Sequence, residues 1–318
     1  MATEKFLLYH YDPSFIAAVI FVALFSLSAI VQLYQLARSK TWYMIPFLIG
    51  CAFEAVGYLG RAISAKQTPD WTTMPYVIQS LLLLLGPTLL AASIYMVLGR
   101  LIRLVNGERY SLIRPQWLTK VFVLGDVISF LAQSGGGGML ANAKSKSSQS
   151  LGENIIIGGL GVQIVFFGFF MFVTVIFHKR IVANPTPRSL SILAPWKRYI
   201  LILYAASVFI MIRSVFRIAE YINGSDGTLQ STEVYIYIFD ASLMFIVVAL
   251  FNVYHPSQII SHQHERLDMP DSEVESDTYA MMGRGYQDSS MSSVPQNVPS
   301  PYSNDSYANY NAARQQGK

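Results

Sequence analysis

Apolar residues along this chain run in seven long stretches of roughly 20, separated by short polar segments, with neither the alternation of strands nor the one-sided stripe of a soluble helix. A helix rises about 1.5 Å per residue, so each stretch is long enough to cross the ~30 Å hydrocarbon layer of a bilayer. The pattern predicts spans at 14–36, 42–64, 76–102, 118–140, 154–177, 199–221 and 233–254. The expected fold is all-α: a polytopic bundle of seven transmembrane helices. Residues 1–13 then form an N-terminal tail, 14–257 the membrane domain and 258–318 a C-terminal tail. That last segment is rich in Ser, Asn, Gln, Pro and Asp with few aliphatic residues, so it cannot bury enough apolar area to offset its ordering entropy and is expected to be disordered.

Charges inside the spans are the second informative feature. Span two carries Glu54, Tyr58 and Arg61, and seven residues at 100° each bring Arg61 back to within about 20° of Glu54. Span four places Asp126, Ser129 and Gln133 on one face, and span six does the same with Arg213, Arg217 and Glu220. Span seven has Glu233 at its start, Asp240 seven residues on and Tyr237 between them. A charge in hydrocarbon costs at least about 2.5–3.5 kcal/mol unless it faces the bundle interior and finds a partner. Four stripes therefore imply either interhelical salt bridges that set packing and register, or a polar, substrate-bearing cavity. Three arginines against five carboxylates would make such a cavity amphoteric, suited to a headgroup bearing an amine, a phosphate or both. Arg213 is the deeper arginine of span six and is expected to be the one left free for substrate, with Arg217 paired to Glu220 or Asp240.

Loop charges predict the orientation. Arg38, Lys40, Arg103, Arg109, Arg114, Lys179, Arg180, Arg188 and Lys197 lie in odd-numbered loops and outnumber Lys5, Lys66, Lys144 and Lys146 on the other side. Basic loops stay in the cytoplasm, so the N-terminus is expected outside and the C-terminus inside. The sequon at Asn223 then faces outward, although it sits too near span six for easy glycosylation. The basic residues outside the spans lie mostly in short loops and, at a net charge of only +4, do not make a nucleic-acid surface. The single Cys51 permits no intrachain disulfide.

Glycine and proline punctuate the spans. Gly86-Pro87 predicts a kink in span three, and Gly135 to Gly138 an unwound outer end of span four. Gly50, Gly57, Gly60, Gly158, Gly161 and Gly168 are expected to allow close helix approach. No phosphate-binding loop, nucleophile elbow or metal-ligand spacing occurs in the spans, so no cofactor, metal or enzymatic activity is expected. Movement of a substrate would be facilitated, dependent on a partner, or coupled to protons through Glu54, Asp126 or Asp240.

Several segments taken together resemble the fungal lipid-translocating exporter family, the RTA-like seven-span proteins. They are Tyr11 to Ser14, Thr41 to Tyr43, Pro46 to Gly50, Glu54 to Arg61, Gly86 to Arg100, Asp126 to Gln133 with the glycine run, Gly159 to Gln163, Arg213 to Tyr221, Asp240 and His255-Pro256. The resemblance implies a fungal protein, often of the plasma membrane, that moves sphingoid bases, tetrapyrroles or toxic lipid-like compounds, with membrane lipids and an amphiphilic small molecule as its partners. The same resemblance would place a His in span one, where this chain has Gln32. The other class compatible with seven spans and a basic third inside loop is a receptor or sensor of membrane state.

Overall fold

The computed structural model describes residues 13–67, 72–141, 145–192, 196–223 and 233–257. The expected C-terminal tail and all of the N-terminal tail except Pro13 lie outside these residues. Among the described residues, two single 3-10 turns (Trp42–Met44 and Glu108–Tyr110) accompany the helices α1 (Phe15–Ser39), α2 (Ile45–Lys66), α3 (Thr73–Leu104), α4 (Pro115–Ala141), α5 (Lys146–Ala183), the short α6 (Pro187–Ser191), α7 (Trp196–Ile222) and α8 (Glu233–Val253). Among the described residues there are no strands. All helices but α6 match the seven apolar stretches and are long and apolar enough to span a bilayer, making this an integral membrane protein.

In the bundle each long helix packs on the next in the order α1, α2, α3, α4, α5, α7, α8, and α8 returns to α1. α3 also touches α7 across the middle and is the most buried span. Outward faces carry Ile16, Leu27, Val165 and Leu201, all more than half exposed, as expected where lipid rather than water covers the surface.

Helix ends differ from the hydropathy reading where capping chemistry decides. α5 begins eight residues before the expected edge, because Ser145 accepts a hydrogen bond from the Ser148 N–H and starts the helix in a polar segment. At 38 residues it is about 57 Å long and outreaches the hydrocarbon layer. α1 starts at the N-cap Ser14 and ends on Lys40 in the left-handed conformation.

The expected unwinding at Gly135–Gly138 is not found: α4 stays helical through Ala141. The reason is its seam with α5. A Cβ on Gly136 would sit 2.7 Å from the Gly152 carbonyl oxygen, and one on Gly152 would sit 2.9 Å from the Gly136 carbonyl oxygen, so the two backbones touch and hold each other. Gly50, Gly57 and Gly60 do allow the close approach of α2 to α3. In α5 the close approach is made by Gly152 and Gly159, whereas Gly158 and Gly161 face open space and Gly168 has only ordinary contact with Met211. α3 runs as one helix through Pro87, with a consequence described below.

Candidate functional site

Pro87 has no N–H, so the carbonyl four residues earlier, that of Leu83, lacks its helical donor. Arg213 fills that gap: its Nη2 donates to Leu83 O at 2.6 Å while its Nε donates to Asp240 Oδ1 at 2.6 Å. Arg213 is buried to 1% exposure in the process. The expectation that it remains free for substrate is therefore not met, and both arginines of α7 are engaged. Arg217 donates from Nη1 to Glu220 Oε2 at 3.0 Å and from Nη2 to Asp240 Oδ2 at 2.6 Å. Asp240 thus bridges two guanidinium groups, one on each oxygen. It stands in a wide-turn segment, Tyr237–Ser242, where α8 locally follows a π-helical path. Such π-bulges are frequent at functional sites.

A second chain of contacts lies at the end of the bundle where α1 begins. Glu233 accepts from Arg61 Nη2 at 2.9 Å and from the backbone N–H of Ser14 at 2.9 and 2.8 Å. A carboxylate against the first N–H groups of α1 also meets the positive end of that helix dipole. The Tyr237 hydroxyl accepts from Arg61 Nε at 3.1 Å and donates to Ser14 O at 3.4 Å. Glu233 was legible as a span-end charge, but its tie to Ser14 at the start of α1 was not. Tyr237 was visible by its spacing from Asp240.

Glu54 and Tyr58 occupy the face of α2 expected of them and are 1% and 0% exposed. Among the described residues neither Glu54 Oε1 nor the Tyr58 hydroxyl has a hydrogen-bond partner. Glu54 lies against Gly86 of α3, where a Cβ would stand 2.8 Å from Oε1.

Asp126, Gln133 and Gln163 gather elsewhere, between α3, α4 and α5. Asp126 accepts from the Tyr95 hydroxyl at 3.0 Å, and Gln133 Nε2 donates to Gln163 Oε1 at 3.1 Å. Tyr95 is an addition the sequence hid among ordinary aromatic residues; it is ringed by Phe122, Phe167 and Phe170. Among the described residues no hydrogen bond or ion pair joins this group to the arginines. The expected single polar interior is therefore two groups, with Glu54, Tyr58, Arg61, Arg213, Arg217, Glu220 and Asp240 in one and Asp126, Gln133 and Gln163 in the other. Gln32, in the stretch where the resemblance places a His, is buried and its Nε2 has no partner among the described residues. Asn223 is exposed at the end of α7, and the rest of its sequon lies outside the described residues.

At the opposite end of α8 the His255 carbonyl accepts from the Tyr199 hydroxyl at 3.2 Å, and the ring's Nδ1 pairs with the Ser257 hydroxyl at 2.8 Å. Burial disfavours the imidazolium and pushes the His255 pKa down to about 4, so the ring is neutral near pH 7. Among the described residues no three His, Cys, Asp or Glu side chains gather as metal ligands.

A seven-span bundle with ion pairs buried at its core is the class these elements define, and sequence comparison narrows it. The family model described as "RTA1 like protein" matches residues 47–263, and the chain belongs to that family. It is 37% identical over 286 residues to Protoporphyrin uptake protein 1 of Saccharomyces cerevisiae, covering 78% of this chain and 91% of the relative. It is 36% identical over 313 residues to Protein RTA1 of the same yeast, covering 87% and 97%. A more distant relative at 27% identity over 259 residues is Sphingoid long-chain base transporter RSB1, also of Saccharomyces cerevisiae, covering 71% of this chain and 67% of the relative. No solved structure matches the chain.

Proposed function

We propose that this protein moves amphiphilic lipids or lipid-like toxic compounds, sphingoid-base-like molecules among them, across or out of the bilayer, and that it does so at the plasma membrane without acting as an enzyme. The observation that carries this reading is the buried carboxyl of Glu54, whose Oε1 has no hydrogen-bond partner among the described residues although it lies beside a set of ion pairs. A bundle that needed charge only for packing would gain nothing from an unpaired carboxyl in its core. The relative named as a sphingoid long-chain base transporter and the one named for protoporphyrin uptake both carry amphiphiles in their names, which supports the substrate class.

The test is transbilayer movement of a fluorescent sphingoid base in proteoliposomes, read by quenching of the outer leaflet. Protein-containing vesicles should expose the inner-leaflet label faster than protein-free ones, and a proton gradient across the membrane reports coupling. Equal rates with and without protein would defeat the transport reading.

The orientation proposed with it has the N-terminus outside and residues 258–318 in the cytoplasm, on the excess of Lys and Arg in the odd-numbered loops. A C-terminal epitope tag is expected to survive protease added to intact cells. Its removal would reverse the assignment.

A further inference from the structure

The arginine group is balanced. Arg61 meets Glu233, Arg213 meets Asp240, and Arg217 meets both Glu220 and Asp240, so each of three cations has a carboxylate and each of three carboxylates a cation. Glu54 stands outside this balance. It makes no ion pair among the described residues, and the charged groups that act on it, Asp240 from α8 with Arg213 and Arg217 from α7, are already committed to one another. From α3 it meets Gly86, whose missing Cβ is what leaves room for the carboxyl: an alanine methyl would come within 3.1 Å of both Cγ and Cδ as well as 2.8 Å of Oε1.

One helical turn from Glu54, on the same face of α2, lies the Tyr58 hydroxyl, also buried and without a hydrogen-bond partner among the described residues. The Tyr58 ring is flanked by Phe21 at 5.5 Å and Phe25 at 5.8 Å from α1 and by Tyr237 at 6.3 Å from α8. A carboxyl and a hydroxyl, both with unused hydrogen-bonding capacity, therefore adjoin a wall of aromatic rings. An ammonium group fits this set: it brings one positive charge and N–H donors for two oxygen acceptors, and ring faces tolerate a cation. An anionic headgroup fits poorly, because Arg213 and Arg217 are already paired with carboxylates and neither Glu54 nor Tyr58 offers it a cation.

We infer that Glu54 is the recognition group for the ammonium of a long-chain primary amine, with the Tyr58 hydroxyl as a second acceptor and the rings of Phe21, Phe25 and Tyr237 against the first carbons of its chain. This rests on the reading of the protein as a carrier of amphiphiles and narrows that reading to cationic ones.

The experiment uses the full-length protein in detergent, with stearylamine and stearyl alcohol as probes and binding read by intrinsic fluorescence. The wild type should prefer the amine, and Glu54→Gln should lose about tenfold or more of stearylamine affinity while binding stearyl alcohol unchanged. Glu54→Asp should fall between them. Equal stearylamine affinity in wild type and Glu54→Gln overturns the inference. Should the variant fold poorly, the wild type still decides. Dicyclohexylcarbodiimide, which modifies carboxyl groups in apolar surroundings, should label Glu54. Stearylamine but not stearyl alcohol should lower that acylurea label in peptide mass spectra, by shielding the carboxyl or by displacing dicyclohexylurea from the activated carboxyl to form an amide there. Labelling that the amine does not change overturns the inference as well. The vesicle assay is read separately: binding through Glu54 without any movement of lipid keeps the site and defeats transport, whereas movement with binding indifferent to Glu54 does the reverse.

Discussion

Asp240→Asn is expected to lose more folded protein than any other single change in the arginine group. Asp240 answers two guanidinium groups at 2.6 Å each, and its removal leaves Arg213 and Arg217 with Glu220 as the remaining carboxylate of that group. Breaking a buried pair by removing one partner costs about 3–5 kcal/mol, against a total stability of about 5–15 kcal/mol for an ordinary protein. Arg213→Gln should cost less, because Asp240 keeps Arg217, although it strips the Leu83 carbonyl of the donor that Pro87 denies it. Glu220→Gln should cost least, since Arg217 still holds Asp240. The double change Arg213→Gln with Asp240→Asn restores neutrality and leaves the Arg217–Glu220 pair, so it should cost less than the sum of the singles by about 0.5–3 kcal/mol. Size-exclusion profiles and melting temperatures of the four variants in detergent measure this. Strict additivity, or a wild-type profile for Asp240→Asn, would show that the buried charges do not hold the bundle.

Gly136→Ala is expected to lower the melting temperature while Gly135→Ala and Gly137→Ala leave it unchanged or raise it. A methyl at Gly136 meets the Gly152 carbonyl oxygen at 2.7 Å and the Ile156 nitrogen at 3.1 Å, both backbone atoms that no rotamer change can move. α4 and α5 would have to separate, and overpacking of this kind costs about 1–3 kcal/mol. At Gly135 and Gly137 a methyl meets nothing within 4 Å, so the better helix propensity of alanine, worth up to about 1 kcal/mol, is what remains. Gly152→Ala should resemble Gly136→Ala, and the pair together should cost less than twice either, because one separation relieves both clashes. Indistinguishable melting temperatures for the alanine variants at 135 and 136 would show that the seam is not tight.

Seven apolar stretches were enough to define the seven spans, because a bilayer accepts helices of one length range and requires each to satisfy its own backbone. The helical period likewise placed Glu54 with Arg61 and Arg213 with Glu220, each on a single face. Even the acceptor for Arg213 has a local cause, since Pro87 frees the Leu83 carbonyl whatever the helix packs against. Partner choice has no such local cause. Which stripe meets which depends on how each helix is rotated and which neighbours it takes, and that emerges from packing the whole bundle. Packing alone therefore placed Asp240 between Arg213 and Arg217, tied Glu233 to the start of α1, and set Asp126 apart with Tyr95. It kept α4 helical through its four glycines, because the stabilising surface belongs to α5. It also left Glu54 without an ion-pair partner among the described residues, a fact invisible in a sequence whose polar stripes hold three arginines and five carboxylates but cannot say which of them touch.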